Sequence, residues 1–248
     1  MKFKFFKRSS QKSSCPLVQV SALSHPGRVR DNNEDSFILL PDWGVWAIAD
    51  GMGGHQCGEV ASAIGLMALQ RSLVAGDNLV HSIQNAHQAI KKQAEQDTTK
   101  SGMGTTLVAV QIHGESYRVA WVGDSRAYLW HNGLRQLTRD HSYVQMLLEQ
   151  GLIDEADVLT HPYKNVITQA LGSLDKESVQ VETIEEKWKS GANLLLCSDG
   201  LSSQLSDSEI AAILATDCCL EQKAGQLLTR VLANTAEDNI TLILLALP

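Results

Sequence analysis

Apolar residues along this chain change their period repeatedly, and each change marks a predicted element. Val18, Val20 and Ala22 alternate with polar neighbours, which predicts a half-buried strand at the start of the folded part. Apolar runs at 37–40 and 45–49, stopped by Pro41 and Gly51, predict two more. Helical spacing follows in Val60, Ile64, Met67 and Ala68, then in Leu79, Ile83, Ala86 and Ile90 with Asp77 as N-cap. Strand patterns return at 105–112, 117–122 and 127–130, and Asn132-Gly133 predicts a tight hairpin into another strand. Residues 141–171 read as helical around Val144, Leu147 and Leu148, with a break at Gly151. Val179 and Val181 alternate with Gln180 and Glu182, and 194–197 reads as a buried strand. Ser206 to Glu209 forms a capping box ahead of Ile210, Ile213 and Leu214. Leu220, Ala224, Leu227, Leu228 and Val231 predict one more helix, and the apolar run 240–247 closes the chain.

Strands therefore arrive in runs and helices in pairs. That order disfavours a doubly wound parallel sheet and predicts an α+β fold of antiparallel sheets with helix pairs packed outside them. A length of 248 residues suits one large domain, expected over 16–248. Residues 1–15 are basic and Ser-rich, lack helical or strand periodicity, and read as a mobile tail. Phe3, Phe5 and Phe6 among its lysines allow at most a weak contact with an anionic membrane.

Charge changes the picture. The first 30 residues hold Lys2, Lys4, Lys7, Arg8, Lys12, Arg28 and Arg30 and no acid. Setting those seven aside leaves 14 basic residues against 28 acidic ones in the remainder, a net of −14. An acidic body argues against a nucleic-acid surface. Five cysteines without a CxxC pair argue against a disulfide framework or a zinc knuckle. No apolar run reaches the ~18–20 residues of a membrane span, and nothing marks export, so the expected compartment is the cytoplasm.

Four segments place an Asp at the edge of an apolar strand beside a small or polar residue. They are VWAIADG at 45–51, AWVGDS at 120–125, LLCSDG at 195–200 and AEDNI at 236–240, and the pair Glu34-Asp35 precedes a further strand. Taken singly, Asp and Gly can simply mark turns. If the Asp residues converge, however, their repulsion demands a cation. An all-oxygen set favours Mg²⁺ or Mn²⁺ over Zn²⁺.

These residues resemble the PPM/PP2C family of metal-dependent protein serine/threonine phosphatases, in its short bacterial form. The matching motifs are GRVRDNNED at 27–35, DGMGGH at 50–55, GEVAS at 58–62, MGTT at 103–106, GDSR at 123–126, SDGL at 198–201 and DNIT at 238–241. The resemblance implies a four-layer α-β-β-α sandwich, with a flap inside 141–172. It implies that Asp50 bridges two metal ions, that Asp199 and Asp238 complete one ion, and that the Gly51 carbonyl binds the other. Glu34 would act through water, Asp124 with Asp199 would hold a weaker third ion, and Arg30 would clamp the substrate phosphate. Direct hydrolysis by an activated water follows, with no phospho-enzyme. Cys57 and Cys197 fit no cysteine-phosphatase cradle and are expected to be small buried fillers.

Two departures stand out. Met52 occupies the place where eukaryotic members carry a His, so a general acid would have to be sought elsewhere; His55 either donates a proton or braces the Gly loop. Ala236-Glu237 stand where many members have Gly-Arg, placing an extra negative charge before Asp238. The expected activity is dephosphorylation of phosphoserine and phosphothreonine in proteins, opposing a cognate Ser/Thr kinase, by a monomeric enzyme. A partner-binding relative of weak activity and a hydrolase of small phosphate monoesters remain as alternatives.

Overall fold

Leu194, Leu195, Leu196 and Cys197 are all fully buried, which a strand manages only when both faces of its sheet are covered. In the computed structural model, which describes residues 18–53, 57–97, 102–158 and 160–247, two stacked sheets achieve this. The chain opens with strands β1 (Gln19–His25), β2 (Asp35–Leu40) and β3 (Val45–Met52), followed by helices α1 (Cys57–Ala75) and α2 (Leu79–Gln96). Next come β4 (Gly104–Thr105), β5 (Leu107–His113), β6 (Ser116–Val122), β7 (Arg126–Trp130) and β8 (Leu134–Gln136). Short helices α3 (Tyr143–Glu149) and α4 (Glu155–Val158) precede β9 (Glu182–Lys187) and β10 (Asn193–Cys197). Helices α5 (Asp199–Ser202), α6 (Asp207–Leu214) and α7 (Leu220–Ala233) lead into β11 (Ile240–Ala246).

One sheet runs β1-β11-β10-β7-β8 and the other β2-β3-β5-β6-β9, with β4 paired to β3. Every ladder is antiparallel. Three apolar layers hold the four-layer sandwich together. Trp46, Ile48, Val108 and Val110 meet Leu194, Leu196, Ile243 and Leu245 between the sheets. Ala47, Ala49, Leu107 and Ala109 face α1 and α2, while Leu195, Cys197, Leu242 and Leu244 face α6 and α7. The expected sandwich flanked by helix pairs is thus the observed one. No described helix is long and apolar enough to cross a membrane.

Several local expectations differ. The buried face of α1 is Ala61, Ser62, Gly65, Leu66, Leu69 and Leu73, not the predicted stripe: Met67 is 51% exposed, and Val60, Ile64 and Ala68 are half-buried at its flank. Small residues let the helix approach its neighbours closely. A Cβ at Gly65 would stand 3.3 Å from Ile90 of α2. The helix is apolar nearly all round, so periodicity alone could not select its face. Asn78, not Asp77, caps α2 by accepting the His81 N–H at 2.9 Å, while Asp77 accepts the Ser72 hydroxyl at 2.6 Å. Helix within 141–171 is confined to α3 and α4. The strand suggested by Val179 and Val181 starts later, at Glu182, where an edge strand rich in charge pairs Arg118 with Glu185 and Tyr117 with Glu186.

Leu196→Ala is expected to cost ~2–5 kcal/mol by leaving a cavity between the sheets. Met67→Ala should stay within about 0.5 kcal/mol, as at an ordinary surface position. Urea denaturation of both variants measures the difference, and a large loss in the second would place Met67 in the core after all.

Candidate active site

The carboxylates come together because both sheets end at the same rim. Asp50 lies near the end of β3 and is the Cα partner of Asp35 at the start of β2. Asp124 follows β6, Asp199 follows β10, and Asp238 precedes β11. Arg30, Glu34, Asp50, Gly51, Asp124, Asp199 and Asp238 line one cavity of about 300 Å³. Every metal or phosphate candidate named from the sequence therefore stands at this cavity; His55, the candidate proton donor or loop brace, lies outside the described residues.

Close backbone approach explains the glycines beside the acids. A Cβ on Gly51 would fall 2.1 Å from the Gly58 carbonyl oxygen, so α1 can seat its first turn against the end of β3 only if position 51 is bare. Gly123 has φ +106°, and a Cβ there would meet Thr106 Cβ at 2.6 Å. That turn swings Asp124 off the end of β6 into the cavity.

Neutral polar groups fix the mounts. Asn239 accepts the Glu34 N–H at 2.8 Å and donates to the Pro26 and Asn32 carbonyls at 2.9 Å, tying the loop of Arg30 and Glu34 to Asp238. Thr106 Oγ1 accepts the Asp50 N–H at 3.2 Å and shares a hydrogen bond with Ser125 at 2.7 Å. Ser198 donates to Asp35 at 2.8 Å and accepts the Thr241 N–H at 2.9 Å, linking the two sheets behind Asp50. Sequence reasoning did not assign roles to Asn239, Thr106, Ser198 or Asp35. A polar residue at the end of a mostly apolar strand was the available signal for each.

The electrostatics of this rim are unfavourable to anions. Burial, reinforced by Asp35, Asp199, Asp124 and Asp238, pushes the Asp50 carboxyl well above its ordinary value. Burial and then Asp199 raise Asp124 to about 8. Burial and then Asp238 raise Asp199 to about 6, against a lowering hydrogen bond with Asp50. Burial raises Asp35 to about 7, and its Oδ1 is buried without a hydrogen-bond partner. Among the described residues lining this cavity the one cation is Arg30, whose Nη2 lies 2.9 Å from Asp238 Oδ2 at the exposed mouth. Arg126 offsets this charge only in part: it still lowers the pKa of Asp124 and Asp199, but Asp140 engages it through Nε at 3.0 Å and Nη2 at 2.6 Å. Among the described residues, no three His, Cys, Asp or Glu side chains are already gathered around one point as a closed metal shell. The residues nevertheless fit divalent cations: the donors are hard oxygens, they share one cavity, and together they are short of positive charge. Cys57 and Cys197 are buried, and burial pushes the Cys197 thiol up to about 12, which keeps that sulfur from acting as a thiolate nucleophile.

The chain between Ser142 and Thr168 stands beside the cavity as a flap. Its ends are closed by the Ser142–Ile167 bridge and by Thr168 N–H to His141 O at 2.7 Å. Asn165 and Ile167 reach the carboxylate cavity, and Asn165, Lys164 and Val158 line a smaller one of about 70 Å³ that shares Asp124 and Asp199 with it.

Comparison with known proteins places this geometry. The chain matches the protein phosphatase 2C family over residues 22–146. It is 38% identical to the serine/threonine phosphatase stp of Listeria monocytogenes, over 88% of this chain and 91% of that protein. The crystal structure of the serine/threonine phosphatase Stp1 from Staphylococcus aureus superposes with a TM-score of 0.89 at 30% identity, covering 97% of this chain and 99% of that one. The catalytic domain of the phosphatase PstP, solved with two manganese ions, superposes with a TM-score of 0.83 at 32% identity, over 92% and 97% of the respective chains.

Asp50→Asn is expected to raise the urea midpoint of protein held in EDTA, because it removes one charge from a repelling group. The same substitution should abolish the rise in melting temperature that Mn²⁺ gives the parent protein. A lower midpoint in EDTA would show that Asp50 is held by favourable contacts instead.

Proposed function

This chain belongs to the protein phosphatase 2C family, and we propose that its carboxylate cavity hydrolyses phosphoserine and phosphothreonine esters of proteins with divalent cations held by Asp50, Asp199 and Asp238. The observation that carries this reading is the convergence of Asp50, Asp124, Asp199 and Asp238 on one cavity with Arg30 at its mouth. Asp50, Asp199, Asp238 and the Gly51 carbonyl would supply the oxygen ligands for two such ions. Mn²⁺ or Mg²⁺ bound there would supply Lewis acidity, activating a water and neutralising the phosphoryl oxygens.

The chain's own groups do the rest. Glu34, whose pKa is raised by burial, orients water at the cavity wall. Arg30 directs its planar guanidinium at the phosphate, with Asp238 setting its orientation at 2.9 Å. Asp124 and Asp199, which line both the carboxylate cavity and the smaller flap-side one, would hold a third, weaker ion. His55 stays a candidate proton donor or loop brace. We assign residues 16–248 to the phosphatase domain and 1–15 to a basic tail capable of at most weak membrane contact. The enzyme acts as a cytoplasmic monomer on phosphoproteins made by a cognate Ser/Thr kinase.

Activity on a phosphothreonine peptide should vanish in EDTA and return with Mn²⁺ or Mg²⁺; full turnover in excess chelator would refute the metal requirement. The peptide should outcompete small metabolite monoesters. The reverse preference would point to a small-molecule hydrolase. Arg30→Lys should raise KM for the peptide about tenfold, the scale of a lost hydrogen bond to a charged group, and weaken inhibition by inorganic phosphate while leaving the Mn²⁺ requirement in place. Asp124→Ala should cut turnover on the peptide and leave two tight ions detectable by calorimetry.

A further inference from the structure

His141 occupies the point where three parts of the site meet. Its ring Nδ1 accepts the Gly123 N–H at 3.1 Å, and its own N–H donates to the Gly123 carbonyl at 3.0 Å. One residue thus holds both main-chain polar groups of Gly123, the residue that leads into Asp124. The His141 carbonyl accepts the Thr168 N–H at 2.7 Å, and Ser142 next to it bridges to Ile167. Both ends of the flap are therefore anchored on or beside His141, and the flap's Asn165 faces the same cavity as Asp124.

The far side of the ring is different. Nε2 lies 3.4 Å from Glu182 Oε1 and has no hydrogen-bond partner. The same Glu182 Oε1 accepts a hydrogen bond from Arg139 Nη2 at 2.9 Å. The ring is buried, and burial lowers its pKa, which suits a neutral imidazole whose Nδ1 accepts a proton from a backbone amide. A ring that merely filled space would need no acceptor aimed at Gly123.

We propose that His141 is a positioning residue that sets Asp124 against the flap through its Nδ1 bond to Gly123, and not through Glu182. The proposal rests on the reading of Asp124 as a weak-ion ligand given above. Its physical content is that the backbone before Asp124 and the flap cannot move independently, because both are hydrogen-bonded to one side chain and its own peptide groups. Groups that orient a ligand in this way commonly cost 10–100-fold in metal affinity or activity when removed.

Three substitutions separate the two sides of the ring. His141→Asn keeps an acceptor at the branch position that Nδ1 occupies. His141→Gln carries its amide one bond further out, and Glu182→Gln removes only the charge on the far side. Each is assayed for urea stability, for the Mn²⁺ concentration giving half-maximal turnover on a phosphothreonine peptide, and for hydrogen exchange of the Gly123 amide in EDTA. His141→Gln should need about tenfold more Mn²⁺ or lose about tenfold in kcat, and should expose the Gly123 amide to exchange. His141→Asn should recover most of both, and Glu182→Gln should shift neither beyond about twofold, well inside that range.

Equal impairment of Asn and Gln in proportion to lost stability would overturn the proposal, as would a loss that follows Glu182→Gln. If His141→Gln does not fold, His141→Ala takes its place, and retained Gly123 protection in that variant would equally refute the bond's role. Asp124→Ala, run alongside, keeps the two readings apart. Should it be kinetically silent while Gly123 exchange still separates Asn from Gln, the ion assignment falls and the clamp stands.

Discussion

Buried negative charge is the constraint on which this structure turns. Asp35, Asp50, Asp124 and Asp199 all have raised proton affinities, and in each the first cause is burial and the next includes a neighbouring carboxyl or the hydrogen bonds that restrain it. Flexible loops would let such groups drift apart toward water. Here they cannot, because Asp50 belongs to β3 itself and Asp199 directly follows a strand buried on both faces. The apolar layers on either side of each sheet thus hold the acids in place against their own repulsion.

Rigidity at the rim comes from small and neutral groups. Gly51 lets α1 start against the end of β3, and Gly123 turns the chain so that Asp124 faces inward. Asn239 ties the Arg30–Glu34 loop to the strand that follows Asp238, and Ser198 joins one sheet to the other through Asp35. None of these adds charge to a site that already has too much of one sign. Arg30, the one cation among the described residues lining the cavity, is half in water, so its pairing with Asp238 is screened and leaves it able to turn toward a phosphate.

The flap completes the enclosure. It carries little regular structure, two short helices within 143–158, yet its base is closed by main-chain bonds around His141 and Ser142. Leu152 and Tyr163 on this segment are exposed, while Asn165 stands at the cavity.

The sequence by itself determined the strands with buried periodicity, the α6 capping box, the α2 face and the all-oxygen character of the site. Each rests on local spacing or on residue chemistry that context does not change. The family motifs likewise marked Asp50, Asp124, Asp199 and Asp238 as one set. Tertiary structure alone decided which side of α1 is buried, because a helix apolar all round carries no directional signal and close approach selected Ala61 and Gly65 over Met67. It alone placed β9, whose charged edge residues look like a loop until Arg118 and Tyr117 stand opposite them. It also brought His141 to Gly123 and Asn239 to Glu34. Those contacts join residues 18 and 205 positions apart, and nothing local foretells a bond that exists only once the sheets have stacked.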